Sequence, residues 1–424
     1  MSWTYVVLGL MLLIFVHELG HFVVARLVGA KATRFLVGFP PVALSFTRGE
    51  TEYGLGAIPL GGYVRIVGMN RPQTDDVIVC KDAIEEINLR RPDGQRDIFG
   101  SAVAALKGAL MLGAGPDAQV AADRALLALD ADQDLLHPQT LKHTKKDLTR
   151  LRDDLDVRAY WRLPVWRRIA IIVAGPGANV LAALVIFTVF FWLGVPLQKP
   201  TTSVAAVSGK PALESGMRSG DQILKVNGVN VDGDWQRVSD QVQVQGAQGG
   251  PITLTVRRAG VEQTLAPVRP ESVAGRWLLG FNFQQVPDGV ERYSVTAAIG
   301  QSLRWSWFVT RESVVGLTKI FTTSGGHKQV SSIVGITSVS EQSVKDGSFL
   351  WMMGVISLAL AIFNLLPFLP LDGGHIVVAL AEKVRRGRPL SRRVIERVSI
   401  IGIGLVLVLF AIGVNNDISR FTGP

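Results

Sequence analysis

The chain has 424 residues but only one cysteine, Cys80, and only six histidines. A single cysteine cannot form an intrachain disulfide, so each domain must be stabilised by its own core, and a metal site built on thiolates is excluded. Basic stretches interleaved with aromatic residues are also missing. The formal net charge of +9 therefore does not indicate a nucleic-acid partner, and we expect none.

Charged residues are scarce in four apolar stretches, residues 3–27, 169–195, 349–371 and 397–414. Each stretch is long enough for a transmembrane helix. The first lacks the basic segment and the small-residue cleavage site of a signal peptide, so we expect it to remain in the protein. The pattern predicts a polytopic α-helical membrane protein with about four transmembrane helices.

Basic residues flank these stretches on one side. They crowd residues 382–396, and further examples are Arg26, Lys31, Arg34, Arg162, Arg167 and Arg168. Because Lys and Arg accumulate in cytoplasmic loops, we expect residues 28–165 and 382–396 in the cytoplasm and residues 197–348 outside it.

The first apolar stretch contains the motif His17-Glu18-Leu19-Gly20-His21. On a helix, this spacing places two imidazoles one turn apart on the same face, where both can bind one Zn²⁺. The glutamate between them can act as a general base on a metal-activated water. Ionisable groups at membrane depth indicate a functional site, which we favour over two hydrogen-bonded core histidines.

A catalytic zinc site takes three protein ligands, and Asp372 is the candidate for the third. It ends the third apolar stretch, in Asn364-Leu-Leu-Pro-Phe-Leu-Pro-Leu-Asp372-Gly-Gly, where Pro367 and Pro370 break a helix. A plain helix stop at the membrane surface is the alternative, but the motif of the first stretch favours a ligand. His375 is either a hydrogen-bond partner of Asp372 or a structural residue at the helix end.

Together these motifs resemble those of the site-2 protease family of intramembrane zinc metalloproteases. Two further segments match that family. Ala174-Gly-Pro-Gly-Ala-Asn179 resembles its Gly-Pro-x-x-Asn motif, and the glycine-rich run Tyr53–Tyr63 resembles its membrane-associated β-hairpin. The resemblance covers nearly the whole chain except about residues 72–160.

The resemblance implies a zinc endopeptidase that cleaves transmembrane segments of single-span proteins, often anti-sigma factors or signal-peptide remnants. Zn²⁺ is the implied cofactor, with His17, His21 and Asp372 as its ligands and Glu18 as the general base. It also implies a multi-pass protein of a bacterial inner or plasma membrane, with its active site towards the cytoplasm.

Substrate-binding candidates come from two segments. Asn364 would help to hold the substrate backbone near the metal. Gly61, Gly62 and Tyr63 lie in the glycine-rich hairpin, whose exposed strand edge could pair with an unwound substrate. Unwinding matters because a helix hides its peptide bonds.

Three segments between the hydrophobic stretches each have a distinct predicted structure. Residues 72–163 predict a helical insert, with helices over Asp97–Met111, Ala118–Leu136 and Lys142–Asp156. The insert either regulates access or binds a partner, or it is a solvated spacer with helical hairpins. In residues 198–285, the run Pro211–Gly228 resembles the core of a PDZ domain, which binds an extended peptide or a free C-terminus.

That core predicts a strand over Gln222–Val226 and a turn at Asn227-Gly228. A later strand is expected within Ile252–Arg257. Residues 286–348 contain the amphipathic stretch Val295–Thr322 and the motif Ser331–Ile336, which resembles the family's Gly-Pro-Val-Gly-Ile loop without its Gly-Pro.

The expected domain organisation follows from these segments. In order, it is a first transmembrane helix (1–34), a membrane-associated β-hairpin (35–71), the cytoplasmic insert (72–163), a second transmembrane helix (164–197), an extracytoplasmic PDZ-like domain (198–285), an interfacial segment (286–348), a third transmembrane helix (349–381), a basic loop (382–396) and a fourth transmembrane helix with its tail (397–424).

Two competing functions remain open. One is a membrane-attached zinc protease whose site lies in a soluble domain. The other is a non-enzymatic PDZ-type membrane receptor or scaffold with a structural metal site. A structural zinc takes four ligands, whereas the sequence offers three and a base.

Overall fold

A computed structural model describes residues 2–92, 95–273, 275–322 and 347–422. The chain divides into two compact units. The first comprises Met1–Phe190 and Val295–Pro424, and the second comprises Phe191–Ser294. The predicted motif Ser331–Ile336 lies outside the described residues.

The helices of the described residues are, in chain order, α1 Ser2–Leu27, α2 Lys81–Arg90, α3 Ile98–Met111, α4 Pro116–Ala131, α5 Pro138–Asp154, α6 Val165–Leu193, α7 Lys210–Glu214, α8 Trp235–Ala247, α9 Val295–Thr322, α10 Phe349–Asn364, α11 Asp372–Val384 and α12 Arg392–Thr422. The strands are β1 Ala32–Arg48, β2 Thr51–Ile66, β3 Val195–Val207, β4 Gln222–Val226, β5 Val229–Asn230, β6 Leu254–Arg258, β7 Val261–Thr264, β8 Glu271–Val273, β9 Arg276–Leu278 and β10 Phe281–Glu291.

Over the described ranges, three helices are long and apolar enough to cross a bilayer, namely Thr4–Leu27, Val165–Leu193 and Arg393–Ile418. They coincide with the first, second and fourth predicted stretches. The apolar helix α10 has 16 residues, fewer than the roughly 20 that span a bilayer core.

The predicted third transmembrane segment, residues 349–381, is two helices rather than one. α10 ends at Asn364 and α11 begins at Asp372. Pro367 and Pro370 cannot donate backbone hydrogen bonds, so a helix cannot continue through them. Gly373 follows the break, where an added Cβ would collide with the backbone carbonyls of Leu365 and Leu366.

The strands β1 and β2 form the hairpin that the glycine-rich run predicts. Residues 34–37 pair with residues 52–55 and also with residues 62–65, so the long strands fold back and residues 62–65 form an outer strand. Large apolar side chains are exposed on this hairpin, namely Phe39, Leu44, Phe46, Leu55 and Ile58. Such an exposed apolar surface indicates contact with a membrane or a partner.

Helices α2–α5 form the insert and share one hydrophobic core. Its fully buried members include Ile87, Phe99, Leu106, Leu129 and Leu148. The three helices predicted for this segment are confirmed, with α4 ending five residues earlier than expected, at Ala131. The insert therefore buries a hydrophobic core of its own.

The second unit is built on a sheet in the order β10-β3-β4-β6-β7, with β5 paired to β4. Its core contains Ile223, Val226 and Val256 from the central strands. β4 matches the predicted strand Gln222–Val226, and Asn227 and Gly228 adopt the positive φ values that a tight hairpin turn requires.

Candidate metal centre

Two histidines of α1 and the first residue of α11 meet in the first unit. His17 Nε2 lies 3.0 Å from Asp372 Oδ2, and His21 Nε2 lies 3.3 Å from the same oxygen. The two Nε2 atoms are 3.2 Å apart. The helical spacing of the histidines and the helix break ahead of Asp372 therefore bring together three potential ligand atoms.

The distances between these three ligand atoms fit a tetrahedral metal ion. Around an ion with bonds of about 2.0–2.1 Å, tetrahedral ligand atoms lie about 3.3 Å apart, close to the separations seen here. Both imidazoles are buried, and the buried Asp372 Oδ2 accepts no hydrogen bond from the described residues. A buried carboxylate oxygen without a donor is costly unless a cation faces it.

Helix α6 orients both imidazoles from behind. His21 Nδ1 donates to the carbonyl oxygen of Ile171, 2.8 Å away. This bond places the proton on Nδ1 and leaves the Nε2 lone pair directed at Asp372.

Asn179, fully buried on the same helix, lies beside the other ring. Its Nδ2 is 3.2 Å from His17 Nδ1, and its Oδ1 has no hydrogen-bond partner among the described residues. Rotation of the amide to exchange its oxygen and nitrogen would let Oδ1 accept from His17 Nδ1–H instead. Both histidines would then have the tautomer that a metal ligand needs.

Glycines bring α1 and α6 close enough for these bonds. A Cβ at Gly175 would overlap the imidazole of His21, and one at Gly20 would overlap the carbonyl of Ala174. From the sequence alone, no individual role is evident for Ile171, Gly175 or Asn179. The signal was the polar Asn179 inside an apolar stretch, in the segment that resembles Gly-Pro-x-x-Asn.

Glu18 is half-buried and lies outside the three-ligand cluster. Its side chain faces the hairpin, because a Cβ added to Gly62 would come within 2.6 Å of Glu18 Cγ. Gly61 lies next to Ile14 and Phe39. The structure therefore brings Gly62, a predicted substrate-binding residue, beside the predicted general base.

The two other substrate-binding candidates are less directly placed. Tyr63 pairs with Leu36 in the hairpin and lines a cleft of about 530 Å³. Asn364 is the last residue of α10 and is half-buried. Neither side chain forms a hydrogen bond with the ligand residues in the described part of the chain.

His375, one turn after Asp372, lines a cavity of about 690 Å³. The described contacts include no hydrogen bond between His375 and Asp372. The cavity wall also contains an ion pair between α6 and α11, in which Arg168 Nη2 lies 2.7 Å from Glu382 Oε2. The cavity therefore extends along the helix that carries the third ligand.

Comparison with known proteins gives a match over most of the chain. The family model for peptidase family M50 matches residues 5–409. The zinc metalloprotease RasP of Geobacillus kaustophilus is 29% identical over 432 residues, covering 96% of each chain. The regulator of sigma-W protease RasP of Bacillus subtilis and the zinc metalloprotease RasP of Bacillus licheniformis are each 26% identical, again with 96% of each chain covered.

Proposed function

Because the chain belongs to peptidase family M50, the site-2 protease family, it is a zinc metalloendopeptidase, and we propose that it cleaves peptide bonds within transmembrane segments of single-span proteins. The observation that carries the proposal is the meeting of His17 and His21, on the apolar helix α1, with Asp372, the first residue of α11. A site in a soluble domain would draw its histidines from outside a helix that is long and apolar enough to cross a bilayer. The relatives' names as metalloproteases also argue against a non-enzymatic receptor.

We assign the ligand role to His17, His21 and Asp372, and the role of general base to Glu18. When bound, zinc polarises the scissile carbonyl and lowers the pKa of a water molecule. Glu18 takes a proton from that water and later delivers it to the leaving amine. The Ile171 carbonyl holds His21 in the orientation and tautomer that this requires, and Asn179 lies against Nδ1 of His17.

The outer strand of the hairpin, residues 62–65, supports binding of the substrate as an added β-strand. Residues 62–65 have one paired side, and Gly62 lies against Glu18. An unwound substrate that adds a strand at this edge would bring its backbone to the base. The absence of a side chain at Gly62 leaves room for that approach, and Asn364 is proposed to hold the substrate from α10.

Water must reach a site at membrane depth. The cavity lined by His375, Arg168 and Glu382 supports a polar inlet from the cytoplasm. We place the insert on the same side and the second, PDZ-like unit outside, with α10, the break and α11 together forming the third of four crossings.

The substrates that we propose are single-span regulators such as anti-sigma factors, or signal-peptide remnants. A relative named regulator of sigma-W protease supports the first class. The PDZ-like unit is proposed to bind an extended peptide or a free C-terminus and so to select substrates.

The test compares wild type and Glu18→Gln in cleaving a labelled single-span protein in detergent. We expect at least a 10²-fold slower cleavage by the variant, because it cannot accept the proton. Its zinc content, measured by elemental analysis, should be unchanged. An active Glu18→Gln protein would overturn the mechanism, and full zinc binding by Asp372→Ala would overturn the ligand assignment.

A further inference from the structure

A basic cleft lies between the hairpin and helix α5 of the insert. It has a volume of about 530 Å³. Six cationic side chains line it: Arg34, Arg65, Lys142, Lys145, Lys146 and Arg150. No acidic side chain is among the described residues that line it. The catalytic assignment uses none of these cations.

The spacing of the α5 residues shows how the cleft is built. Lys142, Lys145, Lys146, Thr149 and Arg150 follow the i, i+3, i+4, i+7, i+8 pattern of one helix face. The opposite face of α5 buries Leu148 and Leu151 in the core of the insert. The basic face is therefore fixed towards Arg34 and Arg65 of the hairpin.

Half of the cations are neutralised by carboxylates outside the cleft lining. Arg34 pairs with Glu52 at 2.6 Å and Lys145 with Asp130 at 2.6 Å. Arg65 is 4.0 Å from Asp153, and its buried Nη2 has no hydrogen-bond acceptor in the described chain.

The other three cations are Lys142, Lys146 and Arg150. They have no carboxylate within ion-pair distance among the described residues. The cleft thus combines three cations that form no ion pair within the described chain with one buried donor that lacks an acceptor there. Arg150 also interacts electrostatically with Asp154, which does not line the cleft.

The cleft adjoins an apolar surface. Pro40 lines the cleft and follows the exposed Phe39, and the hairpin exposes further large apolar side chains, Leu44 and Phe46. An apolar face beside a cluster of cations is the arrangement of a protein seated at the headgroup level of an anionic membrane.

We propose that this cleft binds the phosphate headgroup of an anionic phospholipid in the cytoplasmic leaflet. The proposal rests on the membrane orientation given under the proposed function. An acidic peptide would suit the charges, but single-span substrates carry an excess of Lys and Arg on their cytoplasmic flank, which the cleft would repel. A bound headgroup would also hold α5 and the hairpin together beside Tyr63 and Gly62.

The test measures bound lipid on the full-length protein. Protein in detergent is incubated with equal amounts of phosphatidylglycerol and phosphatidylcholine, and the bound lipids are counted by native mass spectrometry. We expect wild type to retain phosphatidylglycerol. The triple variant Lys142→Gln, Lys146→Gln, Arg150→Gln should lose about fivefold in affinity per cation, on the order of a hundredfold in all.

The matched control is Arg96→Gln, Lys107→Gln, Arg124→Gln, which removes the same charge from exposed positions of the insert outside the cleft. It should retain the lipid as wild type does. The single variant Lys146→Gln, with about a fivefold loss, provides a second test should the triple variant unfold.

Three outcomes would overturn the proposal. They are equal lipid retention by the cleft and control variants, displacement of the lipid by an equal concentration of inorganic phosphate, and tighter binding of an acidic peptide than of phosphatidylglycerol. Glu18→Gln should bind the lipid like wild type. A failed cleavage test and a failed lipid test are therefore distinguishable.

Discussion

At the scale of single residues, the metal centre depends on glycines, which leave space between the helices, as much as on the side chains proposed to bind the metal. The imidazole of His21 occupies the space where a Cβ of Gly175 would lie, and Ile171 fixes the ring from the same helix. Orientation of the ligands is therefore determined by helix α6, which contributes no ligand itself.

Gly175→Ala should displace His21 and weaken zinc binding by about 10- to 100-fold, as expected when the support of a ligand is disturbed. Gly177→Ala is the matched control, since nothing lies within 4 Å of its added Cβ. That control should keep its zinc and gain about 0.5–1 kcal/mol of helix stability. Chelator competition measures both variants, and equal zinc affinities would contradict the role given to Gly175.

At the scale of helices and strands, local sequence patterns were sufficient to predict elements whose structure depends on a single segment of the chain. The strand Gln222–Val226 has the predicted bounds, and the predicted amphipathic stretch Val295–Thr322 coincides with helix α9. The pairing of residues 34–37 with two parts of β2 was not predictable, because it depends on contacts between distant residues. The same holds for the core that α3, α4 and α5 share.

The contribution of the insert's core to stability can be tested with two Leu→Ala substitutions on helix α4. Leu129→Ala should destabilise the insert by about 2–5 kcal/mol, since Leu129 is fully buried. Leu127→Ala should change stability by no more than about 0.5 kcal/mol, because Leu127 is 70% exposed. Hydrogen exchange of the α3–α5 amides measures both, and equal effects would mean that this core does not stabilise the insert.

The second unit contains an ion pair with a defined pH dependence. Burial favours a raised pKa for Asp221, but hydrogen bonds from Arg258 and from the Arg218 backbone N–H outweigh it, and its pKa lies below the ordinary value. The stabilisation is therefore present above about pH 4 and is lost as the pH falls towards the lowered pKa.

Asp221→Asn should cost about 1.5–3 kcal/mol at neutral pH, since it removes charge-assisted bonds to Arg258. The difference from wild type should shrink as the pH falls from about 4 towards the lowered pKa of Asp221, where the folded carboxyl becomes protonated. Hydrogen exchange of β4 and β6 at several pH values measures it. A difference that stays constant down to pH 2 would contradict this account.

At the scale of the whole molecule, the convergence of His17, His21 and Asp372 was predictable from the sequence, and the contacts that orient the two imidazoles were not. The H-E-x-x-H spacing and the costly Asp372 in an apolar setting both point to metal from sequence alone. The bonds from Ile171 and Asn179 could not be derived in that way, because they depend on how two helices pack.

The orientation in the membrane can be tested with introduced cysteines. Cys80 is fully buried, and burial raises its pKa to about 12, so it should not react with maleimides. Lys107→Cys, exposed in the insert, should react with an impermeant maleimide only in inverted vesicles. Ser272→Cys, exposed in the second unit, should react only in right-side-out vesicles, and reaction of both from one side would contradict the topology.

Asp372 follows His21 by 351 positions in the sequence (372 minus 21). A ribosome therefore delivers both imidazoles to the bilayer long before it adds the carboxylate that completes the cluster. We expect a nascent polypeptide that lacks Asp372 to be inert, so that hydrolysis begins only after this residue has been added. Neighbouring helices that emerge from the same insertion machinery are therefore not cleaved during biosynthesis.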